Sequence, residues 1–135
     1  ATFRLVLVVI LAVSSCSHPH ERKDMPELPL EISCRTVKSH LDAGDDILLV
    51  DCREQQEHEL VQIAGSLLVP MSEIQNRLDE LRPHADRHVV VLCHLGGRSA
   101  QVTTWLREQG FTNVQSLAGG IEQWAVEIDP SLRRY

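Results

Sequence analysis

The chain has 135 residues, of which 43% are apolar, and its formal net charge is −6 at pH 7. This length suits one domain with a single hydrophobic core, and the apolar fraction is ordinary for a globular protein. The negative charge excludes the basic surface that a nucleic-acid backbone requires, so we expect no nucleic-acid partner. We also expect a monomer.

The first residues of the chain have the pattern of an export signal. Arg4 precedes an apolar run at residues 5–13, which is too short to span a bilayer as a helix. The sequence Val-Ser-Ser before Cys16 is similar to a bacterial lipobox, in which the cysteine receives a lipid. Lipidation of Cys16 would tether the protein to a membrane on its extracytoplasmic side. The alternative is that translation starts at Met25 and the protein stays in the cytoplasm.

The rest of the chain alternates short apolar stretches with amphipathic patterns. We therefore assign residues 1–29 to a signal or lipoprotein-like segment with a polar tether, and residues 30–135 to one folded domain. Such alternation builds an α/β fold, in which helices cover both faces of a parallel β-sheet. The predicted strands are 47–50, 67–69, 89–92 and 114–117, and the predicted helices are 33–43, 54–60, 72–81, 99–109 and 121–127.

Capping residues stand at several of the predicted helix ends. Ser33 and Ser72 are suited to accept backbone N–H groups at the starts of the first and third helices. Gly44 and Gly110 follow helices at positions where glycine commonly ends them. Pro130 cannot continue the last helix, which therefore ends before it.

Cys93 stands where the continuously apolar strand at 89–92 meets a glycine-rich loop and the next helix. The N–H groups of such a loop, with the positive end of the following helix, form an anion site around the sulfur. Arg98 adds a permanent positive charge, so the thiolate is favoured over the thiol. The carboxyl edge of an open α/β sheet is also where ligands bind. The alternative interpretation is a buried cysteine followed by an ordinary glycine turn.

The length of this loop indicates which anion it accommodates. His94, Leu95, Gly96 and Gly97 separate the cysteine from the arginine. A cysteine phosphatase has one residue more, so that its loop can wrap a whole phosphate. The shorter loop favours a smaller guest, such as the terminal sulfur of a cysteine persulfide.

The segment from Cys93 to Ser99 resembles the active loop of the rhodanese family of sulfurtransferases, which commonly reads C-x-x-G-x-R-[ST]. Residues 47–54 resemble the family's strand ending in Asp-x-Arg, with Glu57 and Gly65 at the spacing of its next segment. Residues 67–70 and 117–124 are similar to its next strand and to its closing L-x-G-G-x-x-x-W signature. Residues 124–135 resemble rhodanese domains fused to, or working beside, the adenylating enzymes of molybdopterin and thiamine synthesis. One departure is Val-Gln-Ile at 61–63, where the family usually has Gly-His-Ile; it puts the local packing in doubt.

The resemblance implies a sulfurtransferase that carries sulfur as a persulfide on Cys93 and needs no cofactor. A small donor, thiosulfate or a persulfide, would supply the sulfur, and a thiol or a sulfur-carrier protein would accept it. The alternatives are a cysteine-dependent phosphatase or arsenate reductase on the same scaffold, and a non-catalytic rhodanese-like binding module. The residues expected to bind the substrate are His94, Leu95, Gly96, Gly97, Arg98 and Ser99.

Other polar side chains near the loop are expected to support it. We expect Asp51 and Arg53 to form an ion pair or hydrogen bonds that hold neighbouring loops, rather than to contact the substrate. Ser99 is expected to cap the following helix, with a hydrogen bond to the sulfur as the alternative, and the side chain of His94 is expected to point outward.

The remaining cysteines and histidines do not suggest a metal site. The histidines are scattered without the spacing of metal ligands, and the cysteines form no C-x-x-C pair. Cys34 and Cys52 are therefore expected to be small core residues, with a resolving thiol for Cys93 as the alternative. Trp124 is expected to anchor the last helix on the sheet.

Overall fold

The computed structural model describes residues 27–135. The leader pattern, Cys16 and Met25 lie outside these residues, so lipidation and the start of the protein stay predictions. Within the described part, no helix is long and apolar enough to cross a membrane. Five parallel strands form one sheet in the order β1-β5-β4-β2-β3. The strands are β1 (Glu31–Ile32), β2 (Ile47–Asp51), β3 (Leu67–Leu68), β4 (His88–Leu92) and β5 (Val114–Leu117).

Among the described residues, four α-helices connect successive strands and a fifth follows the last strand; together they cover both faces of the sheet, which confirms the predicted α/β class. Ser33 caps the first helix as predicted, because its Oγ accepts the Thr36 N–H at 3.1 Å. Gly110, with a φ of +94°, follows the fourth helix, as the sequence predicts. The helices are α1 (Cys34–Asp42), α2 (Gln55–Leu60), α3 (Leu78–Leu81), α4 (Gly97–Glu108) and α5 (Gly120–Glu127), with a 3₁₀ turn at Arg82–His84.

Two hydrophobic cores lie on opposite faces of the sheet. Successive side chains of β4 point to opposite faces, so Val89 and Val91 enter one core while Val90 and Leu92 enter the other. The first core lies under α3 and α4 and the second under α1 and α5. Trp124 is 5% exposed in the second core, where it packs α5 onto the sheet as predicted.

The predicted helix at 72–81 is wrong over most of its length. Residues 71–77 form successive turns, and only Leu78–Leu81 is α-helical. Ser72 does not cap a helix, because its hydroxyl donates to Glu54 Oε2 at 2.9 Å. Ile74 is 4% exposed and still packs into the first core. The apolar spacing therefore predicted the burial of Ile74 correctly, although turns rather than a helix place this residue in the core.

Two further differences concern short segments. The two-residue strand β1 gives no periodic signal, and it forms because it pairs with β5 in the sheet. The departure at 61–63 is accommodated by burial of its two apolar residues. Val61 and Ile63 are 8% and 6% exposed in the second core.

The parallel sheet brings the candidate site together at its carboxyl edge. Asp51 and Leu92 are register partners at the ends of β2 and β4. The segments that follow them therefore leave the sheet side by side, and the Cys52 N–H donates to the Leu92 carbonyl at 3.0 Å. This adjacency places the start of α2 next to the loop of Cys93.

Candidate active site

The sulfur of Cys93 lies in the loop between β4 and α4. Its Sγ accepts the Gly96 N–H at 3.0 Å, and the residue is 1% exposed. Gly96 has a φ of +110°, a conformation that favours glycine and turns the chain into α4. An N–H dipole aimed at the sulfur from the start of a helix stabilises negative charge on it.

Ser99 contacts the same sulfur instead of capping the helix. Its Oγ lies 3.3 Å from Cys93 Sγ, donates to the Gly96 carbonyl at 3.2 Å and lies 2.7 Å from Ser116 Oγ. The residue at the N-cap of α4 is Gly96, which has no side chain to accept an N–H. The capping prediction for Ser99 is therefore wrong. Its hydroxyl instead links the Gly96 carbonyl of the loop to the buried Ser116 hydroxyl of β5.

The start of α5 holds the loop from the other side. The N–H groups of Ile121 and Glu122 donate to the carbonyls of Cys93 and His94, at 2.9 and 3.1 Å. Gly120 makes this approach possible, because a Cβ at this position would lie 2.3 Å from the His94 oxygen and 2.5 Å from the Cys93 oxygen. The first residue of α5, Gly120, therefore allows the helix to approach the loop closely.

Arg98 binds a carboxylate from α2. Its Nη1 and Nη2 donate to the two carboxylate oxygens of Glu57, both at 2.8 Å. The arginine keeps the pKa of Glu57 well below its ordinary value, at about 2, and the carboxylate in turn raises the pKa of Arg98. Glu57 belongs to the resemblance described above, but the sequence assigned it no role.

Tyr135 is a further member of the site that the sequence gave no reason to select. Its hydroxyl donates to Glu57 Oε1 at 2.9 Å and accepts from Arg53 Nη1 at 3.0 Å. Its ring stacks on the His94 imidazole, with the centroids 3.9 Å apart and the planes at 10°. The prediction of an outward-pointing His94 is wrong, because the histidine is half-buried against this tyrosine and its Nε2 is buried without a hydrogen-bond partner.

Asp51 and Arg53 form a buried ion pair, as predicted. Arg53 Nε and Nη2 donate to the two oxygens of Asp51, at 3.0 and 2.7 Å, and both side chains are inaccessible to solvent. Arg53 Nη2 also donates to the Val61 carbonyl at 2.6 Å, and His58 Nδ1 lies 2.8 Å from Asp51. The pair joins the end of β2 to the last turn and the C-cap of α2, the helix that carries Glu57.

The other predicted loop residues lie at the mouth of the site. Leu95 is 64% exposed, and Gly97 is exposed at the first turn of α4. The loop thus places Cys93, Arg98 and Ser99 together, with Leu95 at its outer surface.

Cys34 and Cys52 are buried core residues, as predicted. Burial is the main cause that raises the pKa of Cys34 to about 11 and that of Cys52 to about 12. Both are free thiols. Among residues 27–135, no group of three or more His, Cys, Asp or Glu side chains is arranged to hold a metal ion.

The fold and the loop together define a class of protein: a parallel α/β domain with a cysteine-centred anion site at the sheet's carboxyl edge. The family model described as "Rhodanese-like domain" matches residues 33–127. The chain therefore belongs to the rhodanese-like domain family.

One relative and two solved structures illustrate the family. "Adenylyltransferase and sulfurtransferase MOCS3" of Oryza sativa is 37% identical over 115 residues, which cover 77% of this chain but only 26% of that relative. "Human Single Domain Sulfurtranferase TSTD1" is 25% identical with a TM-score of 0.65, covering 74% of this chain and 98% of that one. Thiosulfate sulfurtransferase from Pseudomonas aeruginosa is 28% identical with a TM-score of 0.67, covering 77% of this chain and 20% of that one.

The loop contact at Gly120 gives a first prediction. Gly120→Ala should destabilise the protein by about 1–3 kcal/mol more than Gly44→Ala, because the added Cβ meets two loop carbonyls. Gly44 is the matched control: its φ of +75° is also positive, but a Cβ there has open space, so the cost is about 1–2 kcal/mol of backbone strain. Urea denaturation measures both. Equal losses would contradict the proposed close approach.

The ion pair of Glu57 gives a second prediction. A carboxylate whose folded-state pKa is about 2, against an ordinary 4.5, stabilises the fold fully above pH 4.5 and loses this contribution as the pH falls toward 2. The loss of stability caused by Glu57→Gln should therefore be constant above pH 4.5 and shrink below it. Denaturation curves of both proteins across this range measure the difference; a difference that does not change with pH contradicts the assignment.

Proposed function

We propose that the protein is a sulfurtransferase that carries sulfane sulfur on Cys93. The observation that carries this proposal is the Gly96 N–H directed at the Cys93 sulfur at 3.0 Å, in a loop that opens onto α4. This arrangement favours a sulfur nucleophile and its anionic persulfide. Membership of the rhodanese-like family, which includes relatives named as sulfurtransferases, supports the same class of reaction.

The proposed first step loads the sulfur. The Cys93 thiolate attacks the outer sulfur of thiosulfate, a new S–S bond forms, and the old S–S bond breaks so that sulfite leaves with its electron pair. A persulfide donor reacts in the same way and leaves a thiolate. The loop N–H groups from Leu95 to Ser99 stabilise the charge on the terminal sulfur, and Arg98 reduces the repulsion of an anionic donor.

The proposed second step unloads it. A thiol, a sulfur-carrier protein or, in an assay, cyanide attacks the outer sulfur of the persulfide, and the Cys93 thiolate leaves. Thiol–disulfide exchange proceeds by direct attack of a thiolate on sulfur with a thiolate as the leaving group, so it needs little help from a general base. The stacked position of His94 against Tyr135 is consistent with a structural role for the imidazole.

The persulfide is the third prediction. Thiosulfate should add one sulfur atom by mass to Cys93 and not to Cys34 or Cys52, and cyanide should remove it as thiocyanate. Cys93→Ser should abolish both steps, because a serine hydroxyl forms no persulfide. Cys52→Ser is the matched control, since Cys52 is buried at the end of the neighbouring strand, and it should still load sulfur.

Two outcomes would overturn the proposal. Thiocyanate formation by Cys93→Ser at the rate of the unaltered protein would show that Cys93 is not the carrier. Hydrolysis of small phosphate esters that depends on Cys93, without sulfur transfer, would favour the phosphatase or arsenate reductase alternative.

Arg98 gives the fourth prediction. Arg98→Ala should lower kcat/KM for thiosulfate by about 10- to 100-fold, because the Glu57 carboxylate, left without its arginine, repels the anionic donor. This range corresponds to the roughly 1.5–3 kcal/mol that a partly buried charge-assisted contact contributes. Steady-state thiocyanate formation measures the effect, and an unchanged rate would remove Arg98 from the mechanism.

A further inference from the structure

The only guanidinium in the sequence of the active loop is already bound to a carboxylate. Both terminal nitrogens of Arg98 donate to Glu57, at 2.8 Å each, in a bidentate pair. The arginine side chain is 36% exposed and that of Glu57 23%. The positive charge next to Cys93 is therefore largely cancelled before any donor arrives.

Glu57 is held in this position by contacts of its own. Its Oε2 accepts the Glu54 N–H at 3.0 Å at the start of α2, and its Oε1 accepts the Tyr135 hydroxyl at 2.9 Å. Each oxygen thus has a second donor besides Arg98. A carboxylate with three separate partners does not turn away from the arginine without breaking several hydrogen bonds.

Two further arginines near the loop are also paired. Arg53 is neutralised by Asp51, and Arg134 binds Glu122, the residue whose N–H holds the His94 carbonyl. His58 Nδ1 lies 2.8 Å from an Asp51 oxygen. Because the whole chain also carries a net charge of −6, the site draws anions mainly through its loop N–H groups.

We propose that Glu57 is a specificity-determining residue that disfavours dianionic sulfur donors relative to monoanionic ones. This inference rests on the proposed sulfur transfer. Glu57 touches neither the sulfur nor the donor in this scheme; it acts through Arg98 and through its own negative charge. A second negative charge on the donor is repelled by Glu57, while the guanidinium of Arg98 is already compensated by that carboxylate.

The test compares two small donors that differ in charge. Thiosulfate is a dianion, and methanethiosulfonate, supplied as its sodium salt, is a monoanion with the same terminal sulfur. The Cys93 thiolate attacks that sulfur in both, and the S–S bond breaks to release sulfite or methanesulfinate with the electron pair. The measured quantity is the ratio of kcat/KM for thiosulfate to kcat/KM for methanethiosulfonate.

Glu57→Gln should raise this ratio by roughly 5- to 10-fold, because one partly exposed negative charge is removed near the donor. Glu57→Asp keeps the charge and should leave the ratio within about twofold of its starting value. Glu59→Gln is the matched control: Glu59 is exposed on the same helix and accepts a hydrogen bond from Gln55, so it removes one charge away from Arg98. Its ratio should also stay within about twofold.

A second pair of variants keeps the proposal falsifiable if Glu57→Gln does not fold. Arg98→Ala should lower the ratio, since it leaves the Glu57 charge without its partner. The double variant Arg98→Ala/Glu57→Gln should raise the ratio again, although it has lost the arginine. If Glu57 acted only by positioning Arg98, adding Glu57→Gln to Arg98→Ala would leave the ratio unchanged.

Each outcome decides one question. A ratio that stays constant in Glu57→Gln while both donors change in parallel overturns the inference, because Glu57 then only orients Arg98. An equal rise in Glu57→Asp or in Glu59→Gln also overturns it. Failure of the unaltered protein to transfer sulfur from either donor contradicts the proposed function instead.

Discussion

The site depends on the close approach of two backbone segments, which the absence of a side chain at Gly120 allows. The carbonyls of Cys93 and His94 lie against the first N–H groups of α5, where any Cβ would collide with them. While these carbonyls are held by α5, the N–H of Gly96 in the same loop donates to the Cys93 sulfur. The chain thus uses the start of one helix to hold the loop and the start of another to stabilise charge within it.

The fold could be predicted wherever its cause is local. The apolar run at 89–92 predicted the central strand, and Ser33 predicted the start of α1, because burial and capping leave direct marks in the sequence. The helix at 72–81 could not be excluded in the same way. Its expected cap residue, Ser72, instead donates to the carboxylate of Glu54, just before α2, and this contact is set by tertiary structure. Strand β1 likewise exists only because β5 lies beside it.

The residues of the candidate site that are neighbours in sequence could be predicted, whereas their partners from distant segments could not. The spacing from Cys93 to Ser99 indicated the loop, the sulfur and the arginine. The partners of these residues come from distant segments: Glu57 from α2 and Tyr135 from beyond α5. Their geometry reversed two expectations, since His94 stacks on the tyrosine instead of facing solvent and Ser99 contacts the sulfur instead of capping a helix. Such contacts follow from the packing of elements rather than from spacing.

Cys34 and Cys93 differ in the backbone groups that their sulfurs contact rather than in their burial. Cys34 and Cys93 are both 1% exposed. The Cys34 thiol donates to the Ala118 carbonyl at 3.6 Å, whereas Cys93 accepts the Gly96 N–H. A carbonyl dipole disfavours negative charge on sulfur, whereas an N–H dipole favours it. Two equally buried cysteines thus face backbone dipoles of opposite sense, and this difference supports the proposal that Cys93, rather than Cys34, carries the sulfur.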